Sequence, residues 1–330
     1  MTPQPGPTGT AGFVAFNTEA SRMVTASESG FVIYQVPPPG TFHRMCVEES
    51  LGGVAIVALF ATSPIAAVVP SAARRVLQLY DIKDKQIISE VQFDAAIHNV
   101  LLNAKRLVVV LERHIHLFDL NTMASLEQVR TTNPPNKEGI ACLTGLSDTG
   151  TCYLAFPQSA NAETKGDIFI IDAMNNHQIA VFNAHRSTIG QMAFNASGTM
   201  IATCSEKGTV VRVFSNPTSH ELLYAFRRGM SPATIYHLAF SPGGEILAAT
   251  SNSGTLHLFE CGRRQSSEIR AFRHFATKQT KTICALDPTA QTLTVVNCPV
   301  AGQHSGLVSQ WAINLEEKAV TLVKETQLTS

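Results

Sequence analysis

Gln191-Met-Ala-Phe-Asn-Ala-Ser-Gly-Thr-Met-Ile-Ala-Thr203 is matched, 46 residues on, by His237-Leu-Ala-Phe-Ser-Pro-Gly-Gly-Glu-Ile-Leu-Ala-Ala249. Ser205-Glu-Lys-Gly-Thr-Val-Val-Arg-Val-Phe214 returns in the same way as Ser251-Asn-Ser-Gly-Thr-Leu-His-Leu-Phe259. Each unit reads as strand, glycine turn, strand, Gly-Thr turn, strand. Its last element is a β-rich run that mostly closes on an aromatic or acidic residue, and it recurs along the whole chain. The copies are Phe31–Tyr34, Val76–Tyr80, Ile115–Phe118, Ile168–Ile171, Val210–Phe214, Leu256–Phe259 and Leu307–Trp311. Their spacing of roughly 40 to 50 residues is that of propeller blades. No segment sustains a helical period. The repeats predict an all-β chain, a seven-bladed β-propeller with WD40-like repeats over residues 11–330. The Pro- and Gly-rich residues 1–10 are expected to be a flexible N-terminus, and no signal peptide is expected.

The composition narrows the function. The chain has 330 residues, 45% of them hydrophobic, and its 25 Lys and Arg balance 25 Asp and Glu. A net charge of zero gives no bulk attraction to nucleic acid, so an anionic partner must be held by local sites. The seven cysteines are odd in number, and no two form a C-x-x-C pair. They read as small buried hydrophobes in a reducing cytosol rather than as disulfides or a zinc site. The uncharged stretch 51–73 superficially resembles a membrane span. Gly52-Gly53, Pro64 and Pro70 divide it into two strand-length runs, Val54–Phe60 and Ile65–Val69, joined by a turn at 61–64. No G-x-S-x-G, H-E-x-x-H, P-loop or G-x-G-x-x-G occurs. Asp119, Asp167 and Asp172 fall at strand edges, where turn chemistry accounts for them. The expectation is a protein that is not an enzyme and needs no cofactor or metal.

Phe226-Arg-Arg-Gly229 closes an apolar, strand-forming stretch. Successive side chains on a strand leave opposite faces, so Arg227 and Arg228 can reach different pockets. Guanidinium is a planar donor fork suited to phosphate. Hydroxyls at the two Gly-Thr turns and nearby histidines can donate to phosphate or sugar oxygens. The offset of 46 places Ser251, Thr255 and His257 one blade on from Ser205, Thr209 and Val211.

Ala184-His-Arg-Ser187, Ser205-Glu-Lys-Gly-Thr209 with Val211-Arg-Val-Phe214, Phe226-Arg-Arg-Gly229 and Ser251–Phe259 occur in the order and spacing of the PROPPIN family. The chain resembles these phosphoinositide-binding WD40-type propellers of autophagy over about residues 11 to 330. The resemblance implies two rim sites for phosphatidylinositol 3-phosphate and phosphatidylinositol 3,5-bisphosphate. Carried over by position, the first is His185, Ser205, Thr209, Arg212 and Arg227. The second is Arg228, Ser251, Ser253, Thr255 and His257. It also implies peripheral attachment, from the cytoplasm, to phagophore, endosomal or vacuolar and lysosomal membranes. Autophagy proteins are implied as partners, among them the lipid-transfer protein, with Arg74 in the corresponding second-blade loop. A protein scaffold without lipid binding is the alternative; it predicts localisation indifferent to Arg227 and Arg228.

Members of the family commonly carry a long apolar loop between the third and fourth strands of the sixth blade. The matching gap here, Glu260 to Ile269, is short and polar. The stretch from Glu260 to Lys281 is basic, with Arg263, Arg264, Arg270, Arg273, Lys278 and Lys281 against Glu260 and Glu268. Electrostatic membrane contact through Arg263 and Arg264 is one expectation, and a solvated blade edge is the other.

Overall fold

The second strand of the third blade, Arg106–Leu111, is buried along its entire length. Its alternate side chains serve two different interfaces. Leu107, Val109 and Leu111 pack on the preceding blade, and Val108 and Val110 on the following one. That is why such strands read as unbroken apolar runs. The same division is repeated around the ring, giving seven apolar clusters, one per blade interface.

The computed structural model describes residues 12–37, 40–130, 135–146, 150–159, 164–216, 219–262, 269–277, 281–287, 289, 291–298 and 305–329. The N-terminal residues 1–10, expected to be flexible, lie outside them. Seven antiparallel sheets follow one another along the chain as the blades of a propeller, spanning 13–48, 54–92, 97–130, 142–183, 189–227, 235–276 and 282–329. Within each blade the four strands neighbour one another in chain order. All seven recurrent runs found in the sequence are third strands. The uncharged stretch resolves into the strands Val54–Leu59 and Ile65–Pro70 of blade two. Among the described residues no helix is long and apolar enough to cross a membrane.

The first and last blades are each built from one continuous segment, so no shared sheet closes the ring. Side chains do it instead. Val14, Met23, Tyr34 and Phe42 pack against Ile283, Val296, Cys298, Val308 and Leu328. The buried Gln310 amide accepts from the Gly40 N–H at 3.0 Å and donates to the Pro37 carbonyl at 3.2 Å.

Five of the seven cysteines are buried. Burial pushes the thiols of Cys204 and Cys284 up to about 12, which leaves them protonated and unreactive. Asp119 accepts the Asn121 and Thr122 N–H groups and the Arg106 guanidinium, and Asp172 accepts the Met174 N–H. Both carboxylates hold turns.

Candidate phosphate-binding clefts

Turns between second and third strands, and the connections from blade to blade, lie at one end of this up-and-down ring. That end gathers the candidate residues of blades four, five and six. In blade five the strands Met200–Ser205, Val210–Ser215 and Leu222–Arg227 run side by side, with Thr203 opposite Arg212 and Arg212 opposite Ala225. Ser205 and Arg227 lie two residues further along their strands, so they share that face. Ile201 and Phe214, also on it, pack into blade four. Cys204, Val211 and Phe226 occupy the other face and pack into blade six. Arg228 follows Phe226 by two and falls on this second side. The two arginines therefore face different blade interfaces, Arg227 that between blades four and five and Arg228 that between blades five and six.

His185, from the connection between blades four and five, enters the first cleft and is only 5% exposed. Arg212 Nη1 donates to the Ala184 carbonyl at 2.8 Å and meets His185 Nδ1 at 3.1 Å. A guanidinium can only donate, so Nδ1 accepts. The ring proton is then on Nε2 and goes to Thr203 Oγ1 at 2.9 Å. His185 thus spends both nitrogens on the protein, and holds Arg212 in place rather than offering a donor of its own. Gly166 backs this arrangement. Its carbonyl accepts the Ala184 N–H at 3.0 Å, and a Cβ there would stand 1.7 Å from the His185 carbonyl oxygen. Arg227 is half-buried and donates from Nη1 to Met230 Sδ at 3.7 Å.

In the second cleft, hydroxyls form a connected chain. Ser251 Oγ lies 2.8 Å from Ser253 Oγ, which lies 2.9 Å from Thr255 Oγ1, which lies 3.1 Å from His257 Nε2. The His257 ring stacks between Phe259 and His274. Arg228 donates from Nε to the Gly208 carbonyl at 2.9 Å and from Nη2 to the Ser231 carbonyl. Gly208 has φ +57°, and a Cβ there would lie 1.9 Å from the Ala233 carbonyl oxygen, so this turn requires glycine.

The register corrects one sequence equivalence. His257 lies opposite Ala249 and Arg212 opposite Thr203, so His257 corresponds to Arg212, not to Val211. The reason is a turn one residue shorter: Ser251 pairs directly with Thr255, whereas in blade five the third strand begins only at Val210. The blade-six connection also differs from expectation. The fourth strand is Arg273–Ala276, and within the connection Ile269–Arg270 adds as a short parallel strand to the edge of blade five, opposite Phe226 and Arg227. Arg263 and Arg264 lie outside the described residues. Arg74 is half-buried, with Nη2 on the Ile97 carbonyl at 2.9 Å; its neighbour Arg75 is the exposed member of the pair. Thr203 and His274 belong to the clefts and escaped the sequence reading. Thr203 was accessible in principle, because the hairpin register sets it opposite Arg212. Among the described residues no group of three or more His, Cys, Asp or Glu is placed to hold a metal.

Burial, reinforced by a neighbouring cation, drives His185, His237 and His257 down to about 4. The cations are Arg212, Lys281 and Arg228 respectively, with His274 adding to the effect on His257. In the unfolded chain these rings titrate near the ordinary value of about 6.5. Between those values the unfolded state binds more protons, so stability falls as pH drops from about 6.5 to 4. The urea midpoint is expected to decline between pH 7 and 4.5, and His257→Gln to flatten the decline. A midpoint unchanged over that window would refute the assignment.

Residues 10–285 match the family model described as PROPPIN. Autophagy-related protein 18 of Aspergillus oryzae is 36% identical over 275 residues, covering 78% of this chain and 64% of the relative, so this chain spans just under two thirds of that protein. Among solved structures, KlAtg21 in complex with the coiled-coil of AgAtg16 is 25% identical with a TM-score of 0.80, covering 97% of this chain and 99% of that one. Kluyveromyces lactis Hsv2 superposes with a TM-score of 0.77 at 22% identity, over 96% of this chain and 99% of that one, and shows the shared fold.

Proposed function

The chain belongs to the PROPPIN family, and from that premise we propose that it is a non-enzymatic effector of 3-phosphorylated phosphoinositides with two headgroup sites at the blade-five rim. Phosphatidylinositol 3-phosphate and phosphatidylinositol 3,5-bisphosphate are the lipids. The observation that carries the reading is the alternation at Arg227-Arg228. It delivers one guanidinium to a cleft already holding Arg212, and the other to a cleft lined by the Ser251–Ser253–Thr255–His257 chain. Guanidinium plus hydroxyl donors converging on a shallow cleft suit phosphate and inositol oxygens. Once bound, the protein recruits autophagy machinery to phagophore, endosomal or vacuolar membranes. KlAtg21 was solved with a coiled-coil of AgAtg16, and a partner of that kind is proposed here too, alongside the lipid-transfer protein.

The test is vesicle flotation across the phosphoinositide panel, wild type beside the Arg227→Thr/Arg228→Thr double variant. Flotation confined to 3-phosphorylated lipids and lost in the double variant supports the reading. Equal flotation of both proteins, or none by either, favours a scaffold without lipid binding.

A further inference from the structure

Met230 directly follows the Phe226-Arg-Arg-Gly229 motif and is 83% exposed, the most exposed large apolar side chain among the described residues. Isolated exposed apolar residues are ordinary on protein surfaces. What distinguishes this one is its position. It stands in the connection from blade five to blade six, between the two candidate clefts, with exposed Ser231 and Pro232 beside it. The connection is tied down on both sides. Arg227 donates to the Met230 sulfur, and Arg228 donates to the Ser231 carbonyl. The Arg228 and Gly229 N–H groups both donate to the Thr209 carbonyl, and the Ala233 N–H to that of Lys207. Met230 therefore projects in a fixed relation to both guanidinium groups. The turn to which the connection is tied carries exposed Glu206 and Lys207, so with Arg227 and Arg228 cations outnumber the one acid about this segment.

We propose that Met230 is a bilayer contact, its thioether entering the boundary between headgroups and acyl chains when the flanking clefts hold their lipids. The inference rests on the phosphoinositide reading, which brings this rim to the membrane. An unbranched, flexible thioether enters disordered lipid readily. Arginines beside it keep their charged ends at headgroup level while their stems lie along apolar material. Anionic lipid adds attraction for the surrounding cations. The apolar tip and the headgroup donors belong to one short segment, so a single docking geometry satisfies both.

Two variants test this. Met230→Ser, which removes the apolar tip without setting a charge beside Arg227, is expected to bind vesicles of phosphatidylcholine with phosphatidylinositol 3-phosphate about tenfold more weakly, while its affinity for soluble inositol 1,3-bisphosphate stays at the wild-type value. Because Trp311 is the only tryptophan, the Trp311→Phe/Met230→Trp protein carries a single reporter, whose emission should shift to the blue on the same vesicles. Unchanged vesicle binding by Met230→Ser together with an unshifted reporter overturns the proposal and leaves the headgroup sites standing. A protein that does not bind inositol 1,3-bisphosphate sinks the phosphoinositide reading and, with it, the contact proposed here, whatever the reporter does.

Discussion

Arg227→Thr and Arg228→Thr are each expected to halve the number of soluble headgroups bound, from two to one, while leaving the affinity of the surviving site unchanged. The reason is geometric. The two side chains leave opposite faces of the same strand end, toward different blades, and so act on separate clefts. Each guanidinium contributes charge-assisted hydrogen bonds worth about 1.5–3 kcal/mol apiece, enough to empty its own site. On vesicles the loss is larger than either site alone implies. On the proposed reading two headgroup sites on one rim bind as a pair, and losing one is expected to remove an avidity gain on the order of a hundredfold. Arg228→Thr also removes hydrogen bonds to the Gly208 and Ser231 carbonyls, so its unfolding midpoint should fall slightly. Isothermal titration with inositol 1,3-bisphosphate reads the stoichiometry. A wild-type value of one, or a single variant that empties both sites, would show that the clefts are not independent.

The fold was legible where the physics is local. Third strands announced themselves because each keeps at least one face apolar and mostly ends at an aromatic or acidic residue, and that pattern repeats with every blade. The separation of Arg227 from Arg228 followed from strand pleating alone. What escaped depended on contacts between blades. His185 looked like a donor for a ligand, yet Arg212 and Thr203 claim both its nitrogens, and neither contact is marked by sequence spacing. The equivalence of His257 with Arg212 was hidden by one missing turn residue. A one-residue shift exchanges the faces of a strand, so counting from the Gly-Thr turn misassigns the partner, whereas counting back from Phe214 and Phe259 assigns it correctly. The short strand Ile269–Arg270 was unreadable because two residues carry no periodic pattern. It exists because the outer strand of blade five offers an open edge of backbone donors and acceptors.

That outer strand is also where the largest stability effect is expected. Phe226→Ala should cost about 3–5 kcal/mol, the usual range for emptying a fully buried aromatic site. Phe226 has no exposed surface. Its ring stacks on Tyr224 at 5.4 Å and, across the blade interface, on Phe259 at 4.7 Å. Ile235, Leu238 and Leu247 of blade six belong to the same apolar cluster. The position lies one residue from Arg227 and two from Arg228, so the ring also fixes how the strand end is presented. Opposite Val211 it locks the register that brings Arg227 beside Val210. Removing it leaves a cavity between blades five and six and frees the end of the strand. Headgroup binding should therefore weaken at both sites, although Phe226 belongs to neither. Phe226→Leu, which keeps most of the volume, should retain both stoichiometry and most of the stability. Urea unfolding and isothermal titration on the same two variants separate the effects. If Phe226→Ala unfolds within about 1 kcal/mol of wild type, the ring is not the anchor of this interface. If it is destabilised as expected yet binds two headgroups at full affinity, the arginines are placed by the backbone bonds of Arg228 and Gly229 to Thr209 alone.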